Sequence, residues 1–126
     1  MSMNSTGFQA YRKTQIQTAD QGTLILMCYD GAITFLKQAQ SAHSKGDLQK
    51  YNLCCTKASN VLWELSNSIN LEAGEVATHL QSLYNYMIRR IVDAQYHDRT
   101  NAIDEVISYI QELRESWKQI IKKQIS

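Results

Sequence analysis

Three histidines and three cysteines are the side chains of this chain best suited to hold a metal ion or act as nucleophiles. Helical bundles that bind two metal ions use a glutamate followed three residues later by a histidine, on each of two helices. No glutamate here has a histidine at that spacing. Asp93 and His97 are four residues apart, without a matching second pair. We therefore expect no metal site and no other cofactor.

The cysteines, Cys28, Cys54 and Cys55, are too few to form a disulfide framework. Cys54 and Cys55 fall in the middle of a predicted helix, away from the helix N-terminus that would lower the pKa of a thiol. Neither of the glycine-rich phosphate-binding motifs, GxxxxGK[ST] and GxGxxG, occurs in the chain. The sequence predicts buried structural thiols and no catalytic residue, with a cysteine–histidine pair formed only by the fold as the open alternative.

Composition narrows the class of protein further. A length of 126 residues suits one domain with its own core, and a net charge of +1 argues against nucleic-acid binding, which needs a basic surplus. No run approaches the ~18 consecutive apolar residues of a membrane span. The first residues lack the apolar region of a secretory signal. We therefore expect a cytoplasmic protein without membrane insertion.

Helices account for nearly all of the chain. Proline is absent, so glycines and polar residues mark the ends of the elements. The first helix is predicted from Gln21 to Lys45, with Asp20 as its N-cap, Gly46 after its end and Asp47 capping the next start. Three further helices are predicted over residues 48–69, 75–96 and 102–123.

Apolar residues recur every three or four positions along these helices, which is typical of one buried face. The stripe of the second helix comprises Leu48, Tyr51, Cys55, Ala58, Leu62, Leu65 and Ile69. That of the fourth comprises Ile103, Val106, Ile107, Ile110, Leu113, Trp117, Ile120 and Ile121. Four long helices with short links predict an all-α, antiparallel four-helix bundle over residues 18–126, preceded by a mobile N-terminal arm over residues 1–17.

Two helices carry more apolar surface than such a bundle needs. The stripe of the third helix is widened by Ile88 and Val92 to roughly a half-circle, where about 100° is usual; its other members are Val76, Leu80, Leu83, Tyr84, Met87 and Ile91. The run Leu24–Tyr29 covers every side of the first helix. Either neighbouring helices or a second subunit cover these surfaces, or they bind a partner. Gly31 likewise indicates either close approach of a neighbouring helix or room for a bound segment.

Four runs of residues carry a family resemblance. Residues 74–90, GEVATHLQSLYNYMIRR, resemble the third helix of the flagellar export chaperone family, FliS, whose members bind flagellin before its secretion. Residues 18–33, with Tyr-Asp-Gly, resemble the family's opening helix. Residues 6–11 resemble the aromatic segment ahead of it, and residues 103–118 the last helix. The chain departs from the family where Asp20 and Gln21 replace a usual Ser-Pro, which affects a helix start.

This resemblance implies a non-enzymatic chaperone that binds the C-terminal segment of flagellin, prevents premature polymerisation and aids delivery to the flagellar type III export apparatus. The export gate is a further implied partner. Phe8 and Tyr11 match the family's arm, which can occupy part of the binding surface when the client is absent. Candidate residues for client binding or arm docking are Phe8, Tyr11, Ile16, Leu24, Met27, Gly31, Leu80, Tyr84, Met87 and Ile88. The alternative is a homodimeric bundle with a structural or adaptor role and no flagellin client.

Overall fold

The computed structural model describes residues 21–97 and 99–125, except for the side chains of residues 121 and 123–125. This part of the chain forms four helices, with bounds α1 Gln21–Ser44, α2 Leu48–Asn67, α3 Glu75–His97 and α4 Asn101–Ile125, and a short 3-10 turn at Leu71–Ala73. The all-α class is confirmed, and every described helix end lies within two residues of its predicted position. The predicted arm, the Asp20 cap and the side chain of Ile121 lie outside the described residues.

The connection between α1 and α2 shows how local sequence sets the topology. Gly46 adopts a φ of 74°, a conformation that glycine reaches without strain. The backbone N–H of Asp47 donates to the carbonyl of Ala42 at 2.9 Å, which closes α1. The Asp47 carboxylate accepts from the N–H of Lys50 at 3.1 Å, which caps α2. Both predicted roles are confirmed, and a link this short makes the two helices antiparallel neighbours.

The four helices form a ring in which each contacts the helices before and after it. α1 contacts α2 and α4, and α3 contacts the same two helices. Over the described residues, the diagonal pairs α1–α3 and α2–α4 make no comparable backbone approach. The architecture is therefore the predicted four-helix bundle, with an up-down-up-down order around its core.

The core is built from the predicted stripes, with corrections at helix ends. Its buried apolar residues are Tyr29, Ala32, Leu36, Ala39, Ala42, Tyr51, Cys54, Cys55, Ala58, Leu62, Leu65, Tyr84, Met87, Ile91, Ala94, Ala102, Ile103, Val106, Ile107 and Ile110. The stripes were wrong at Leu48, Val76 and Ile120, which are exposed. Each lies in the first or last turns of its helix, where neighbouring helices no longer cover the apolar face.

The two ends of the bundle are packed differently. Around the C-terminus of α1, fully buried alanines such as Ala39, Ala94 and Ala102 form the core, and small side chains let helices approach closely. A hydrogen bond of 2.6 Å from Gln40 to Asp104 joins α1 to α4 at this end. Around the N-terminus of α1, larger apolar side chains are only half-buried, among them Ile25, Leu26, Leu80, Leu113 and Trp117. One end is closed, and the other presents apolar surface.

A tyrosine pair crosses the core between the diagonal helices. The hydroxyl oxygens of Tyr29 and Tyr84 are 2.6 Å apart, within hydrogen-bonding distance. Burial raises the pKa of both tyrosines above the ordinary value of 10.0. The diagonal helices α1 and α3 are thus joined by a buried hydrogen bond at the base of the half-buried end.

The tyrosine pair predicts a stability loss in alkali. Because both phenols stay neutral in the folded chain but ionise in the unfolded chain, their contribution is fully present below pH 10.0. It is lost as pH rises from there towards the raised folded pKa values, by about 1.4 kcal/mol per pH unit for each tyrosine. Urea unfolding between about pH 9 and 11 should show this decline, and Tyr84→Phe should make it shallower.

The matched control is Tyr96→Phe, since Tyr96 is exposed at the end of α3. Near neutral pH, Tyr84→Phe should lower the free energy of unfolding by about 1–3 kcal/mol, because Tyr29 loses a buried partner. A decline in alkali that is equally steep in Tyr84→Phe and the wild type would contradict the prediction.

Candidate functional site

The first turns of α1 build the candidate site at the half-buried end. The run Leu24–Tyr29 was expected to be buried on several sides. Tyr29 is fully buried and Ile25, Leu26 and Cys28 pack partly against the core, but Met27 is 46% exposed. The helix therefore presents apolar surface on the side of Met27.

An apolar cavity lies in the seam between α1 and α2 at this end. It has a volume of about 340 Å³ and is lined by Gln21, Leu24, Ile25, Cys28, Glu64, Leu65 and Ser68. We call it the α1–α2 cavity. The α1 start contributes four of these residues because Leu24 and Cys28 are one turn apart and share a face. An apolar cavity of about 150 Å³ is already large enough to bind benzene, so this one has room for a large side chain.

Gly31 continues the same side of α1, one turn beyond Cys28. No atom of the described residues, beyond its own helix backbone and chain neighbours, lies within 4 Å of the position that a Cβ would take there. The interpretation of Gly31 as a point of close helix approach was therefore wrong, because the neighbouring backbones are too far away. Its other interpretation, room for a bound segment, stays a prediction.

Beyond Gly31 the seam is crossed by side chains. The Lys57 ammonium lies over the ring of Phe35 at 5.7 Å from the ring centroid. Such a contact holds a cation against an aromatic face. The cavity lining on α1 runs from Gln21 to Cys28. We infer that the open part of the seam continues to Gly31, where a Cβ would meet no described neighbour, and ends at the Phe35–Lys57 contact. We call this stretch the α1–α2 groove.

The candidate residues on α3 divide into two groups. Leu80 and Ile88 are half-buried and pack against the core. Tyr84 and Met87 are 2% and 0% exposed, so they belong to the core and do not line an open surface in this structure. Packing of α3 against two neighbouring helices explains much of its wide stripe. The buried members of the stripe are Tyr84, Met87 and Ile91, the half-buried ones are Leu80, Leu83 and Ile88, and the exposed ones are Val76 and Val92.

Polar contacts pin α3 and α4 together on the far side of the bundle. Tyr86 donates a hydrogen bond to Glu105 at 2.6 Å, and Arg90 forms an ion pair with the same carboxylate at 3.4 Å. The hydrogen bond to Glu105 raises the pKa of the Tyr86 hydroxyl. Asp30 and Arg114 form a further ion pair between α1 and α4. These contacts link α4 to α3 and α1, and so help to fix the position of α1, which forms one side of the α1–α2 groove.

The thiols have the properties of structural residues. Cys54 and Cys55 are buried, as predicted, and Cys28 is half-buried. Burial raises the pKa of the Cys55 thiol to about 11, so it stays protonated near neutral pH and is a poor nucleophile. The described residues hold no group of three or more potential metal ligands. Nor does any described helix combine the length and apolarity needed to cross a bilayer.

Sequence reasoning missed part of this surface. Glu64 and Ser68 line the α1–α2 cavity, but as polar residues outside the apolar stripe of α2 they were not selected. Trp63, which is 56% exposed, was also overlooked. The sequence could have indicated this residue, since Trp63 lies outside the apolar stripe of α2 and a large aromatic side chain at such a position is expected to be exposed. The proposed arm residues Phe8, Tyr11 and Ile16 lie outside the described part of the chain.

The chain is similar in sequence to known proteins over nearly its whole length. The family model of the flagellar protein FliS matches residues 3–124. The chain is 34% identical to a flagellar secretion chaperone FliS of Salmonella typhimurium over 125 residues, covering 94% of this chain and 93% of that protein. It is 32% identical over 117 residues to the FliS of Bacillus subtilis, covering 93% and 87%. The FliS of Vibrio cholerae is 29% identical over 117 residues, covering 89% and 86%.

Proposed function

Because this chain belongs to the FliS family of flagellar secretion chaperones, we propose that it binds the C-terminal segment of flagellin in the cytoplasm. In this proposal it prevents premature polymerisation of flagellin and aids its delivery to the flagellar type III export apparatus, with the export gate as a further partner. Members of this family act as chaperones and not as enzymes. The observation that carries the proposal is the half-buried apolar end of the bundle, with the α1–α2 cavity at its edge.

The physical basis is the capture of an amphipathic segment. The terminal regions of flagellin pack as helices in the filament, so before export their apolar faces would associate with each other. An apolar groove holds such a helix through anchors spaced three and four residues apart. Ordering the client has an entropic cost, which burial of a large apolar surface must exceed. In this bundle the closed, tightly packed end keeps the helices in place, and the half-buried apolar end offers a surface on which a client helix can bind.

The N-terminal arm, residues 1–17, is proposed as a competitor for the same surface. It joins α1 just before Gln21, which lines the α1–α2 cavity. Phe8, Tyr11 and Ile16 are its apolar anchors, and each buried aromatic contributes roughly 1.5–3 kcal/mol before the entropy of ordering the arm is subtracted. The net gain is small, so a client displaces the arm easily.

Calorimetric titration with a peptide carrying the flagellin C-terminal segment tests the proposal. We expect saturation at one peptide per chain, with a Kd of about 1 μM or tighter, and no binding of a peptide of scrambled sequence. A chain lacking residues 1–17 should bind the peptide more tightly. Weaker binding after this deletion would mean that the arm contacts the client directly. No binding, together with a stable dimer in sedimentation, would instead support the homodimeric structural role.

A further inference from the structure

Exposed apolar side chains concentrate on the α2–α3 half of the bundle. Among the described residues, most of the large exposed apolar ones lie on α2, on α3 or in the turn between them: Leu48, Leu53, Trp63, Leu71, Val76, Tyr86, Val92 and Tyr96. Because α3 is diagonal to α1 in the ring, the outer face of α3 points away from the α1–α2 groove. A partner bound to this face would therefore leave that groove open.

The outer face of α3 carries both a depression and a projecting side chain. A cavity of about 320 Å³, which we call the α3 depression, is lined by Tyr86, Ile88, Arg89, Arg90, Val92 and Asp93. Tyr96 lies on the same helix and is 80% exposed. Since a cavity of about 150 Å³ already binds benzene, the α3 depression has room for a phenol ring. Residue 91 lies midway between Tyr86 and Tyr96.

Two opposite charges on this face are centred on the same residue. Arg89 and Asp93 lie one helical turn apart and share a face, again with residue 91 midway. Arg89 is exposed and makes no ion pair with any described residue. Asp93 contacts Arg90 through Oδ2 at 3.3 Å, and its side chain is 41% exposed. A carboxylate accepts several hydrogen bonds, so Asp93 can accept a second cation from outside.

We propose that α3 packs antiparallel against α3 of a second copy of the chain, with the two-fold axis at the level of residue 91. In such a dimer both copies use the same patch, so each contact occurs twice. Arg89 of each copy meets Asp93 of the other, and Tyr96 of each lies at the level of the α3 depression of the other. This inference goes beyond the proposed function, since the dimer carries two α1–α2 grooves and presents two clients together.

The charges favour a second copy over an acidic or a basic partner. Arg90 is already paired with Glu105 at 3.4 Å, which leaves Arg89 and Asp93, one charge of each sign. A strongly acidic or basic partner is attracted by one of them and repelled by the other, whereas the face is complementary to itself when it turns antiparallel. Aromatic residues and arginine, with few other charges, are also typical of the centre of a protein interface.

Sedimentation velocity of the full chain from about 1 to 300 μM tests the dimer. Interfaces below about 1,200 Å² are typical of weak complexes, so we expect a reversible dimer with a Kd of about 10–100 μM. Tyr96→Ala should weaken association by about tenfold or more. Val76→Ala is the control, because Val76 is equally exposed on α3 but lies beyond the reach of the second α3. A wild-type chain that stays monomeric throughout, or equal effects of the two variants, would overturn the proposal.

Charge exchange tests the pairing. Arg89→Glu and Asp93→Arg should each weaken association by about tenfold or more, since like charges then face each other twice across the dimer. An equimolar mixture of the two variants should dimerise about as well as the wild type, because every facing pair in the mixed dimer again has opposite charges. Lys37→Glu, the same charge reversal at an exposed position of α1, should change association by less than about twofold. A mixture of the two folded variants that stays monomeric would contradict the pairing.

The flagellin C-terminal peptide separates this inference from the proposed function. Saturating peptide should leave the dimer intact, because the α1–α2 groove and the outer face of α3 are different surfaces. Arg89→Glu should likewise bind the peptide as tightly as the wild type does. Peptide that dissociates the dimer would mean that the client covers α3, which overturns the inference while the proposed function stands. Absence of peptide binding would contradict the proposed function alone, since the dimer is measured without peptide.

Discussion

Met87→Ala is expected to lower the free energy of unfolding by about 2–5 kcal/mol, whereas Val76→Ala should change it by less than about 0.5 kcal/mol. Both residues belong to the apolar stripe predicted for α3, but Met87 is fully buried and Val76 is 80% exposed. Truncation of Met87 leaves a cavity in a close-packed core, while truncation of Val76 removes surface that water already reaches. Urea unfolding of the two variants measures the difference directly.

The pair also addresses the homodimer alternative. If Val76→Ala costs nearly as much as Met87→Ala, something outside the described bundle covers Val76 in solution. Unfolding that depends on protein concentration would then identify a second copy of the chain as the cover. A small effect at every concentration would mean that Val76 stays exposed in solution, which contradicts a dimer interface at this position.

Gly31→Leu is expected to weaken binding of the flagellin C-terminal peptide by at least about tenfold, while Gly31→Ala should leave binding within about twofold. Space around the Cβ position is open within 4 Å over the described residues, so a methyl group fits. A leucine side chain would extend into the α1–α2 groove and occupy volume that the client needs. Titration of both variants with the same peptide measures the effect.

Gly31→Ala should change stability although it leaves binding nearly unchanged. Because glycine costs a helix interior about 1 kcal/mol relative to alanine and no described atom opposes a Cβ here, Gly31→Ala should raise the free energy of unfolding by roughly that amount. Ser41→Leu, at an exposed position on α1, controls for added apolar surface on the same helix. A Gly31→Leu variant that binds the peptide as well as Ser41→Leu does would show that the client avoids this stretch of α1.

The sequence by itself determined the helices, their ends and the bundle. Proline is absent, and Gly46 and Asp47 mark the first turn through rules that operate within a few residues: a left-handed conformation after a helix and a side-chain cap before one. The periodic stripes likewise identified most of the core, including Tyr51, Leu62, Met87 and Ile110. The four resembling runs indicated the family, which the comparisons confirm.

Only the tertiary structure decided which apolar residues are core and which are surface. Core and surface positions use the same apolar residue types, so the stripe of α3 by itself could not distinguish them. In the structure Tyr84 is buried against Tyr29, whereas Val76 lies at the start of α3 and is exposed. Gly31 was ambiguous for a related reason, since a missing side chain serves either close approach or open space, and only the distances to other helices choose between them. The α1–α2 cavity joins Leu24 on α1 to Glu64 and Leu65 on α2, residues about forty positions apart that meet because antiparallel helices bring distant turns side by side.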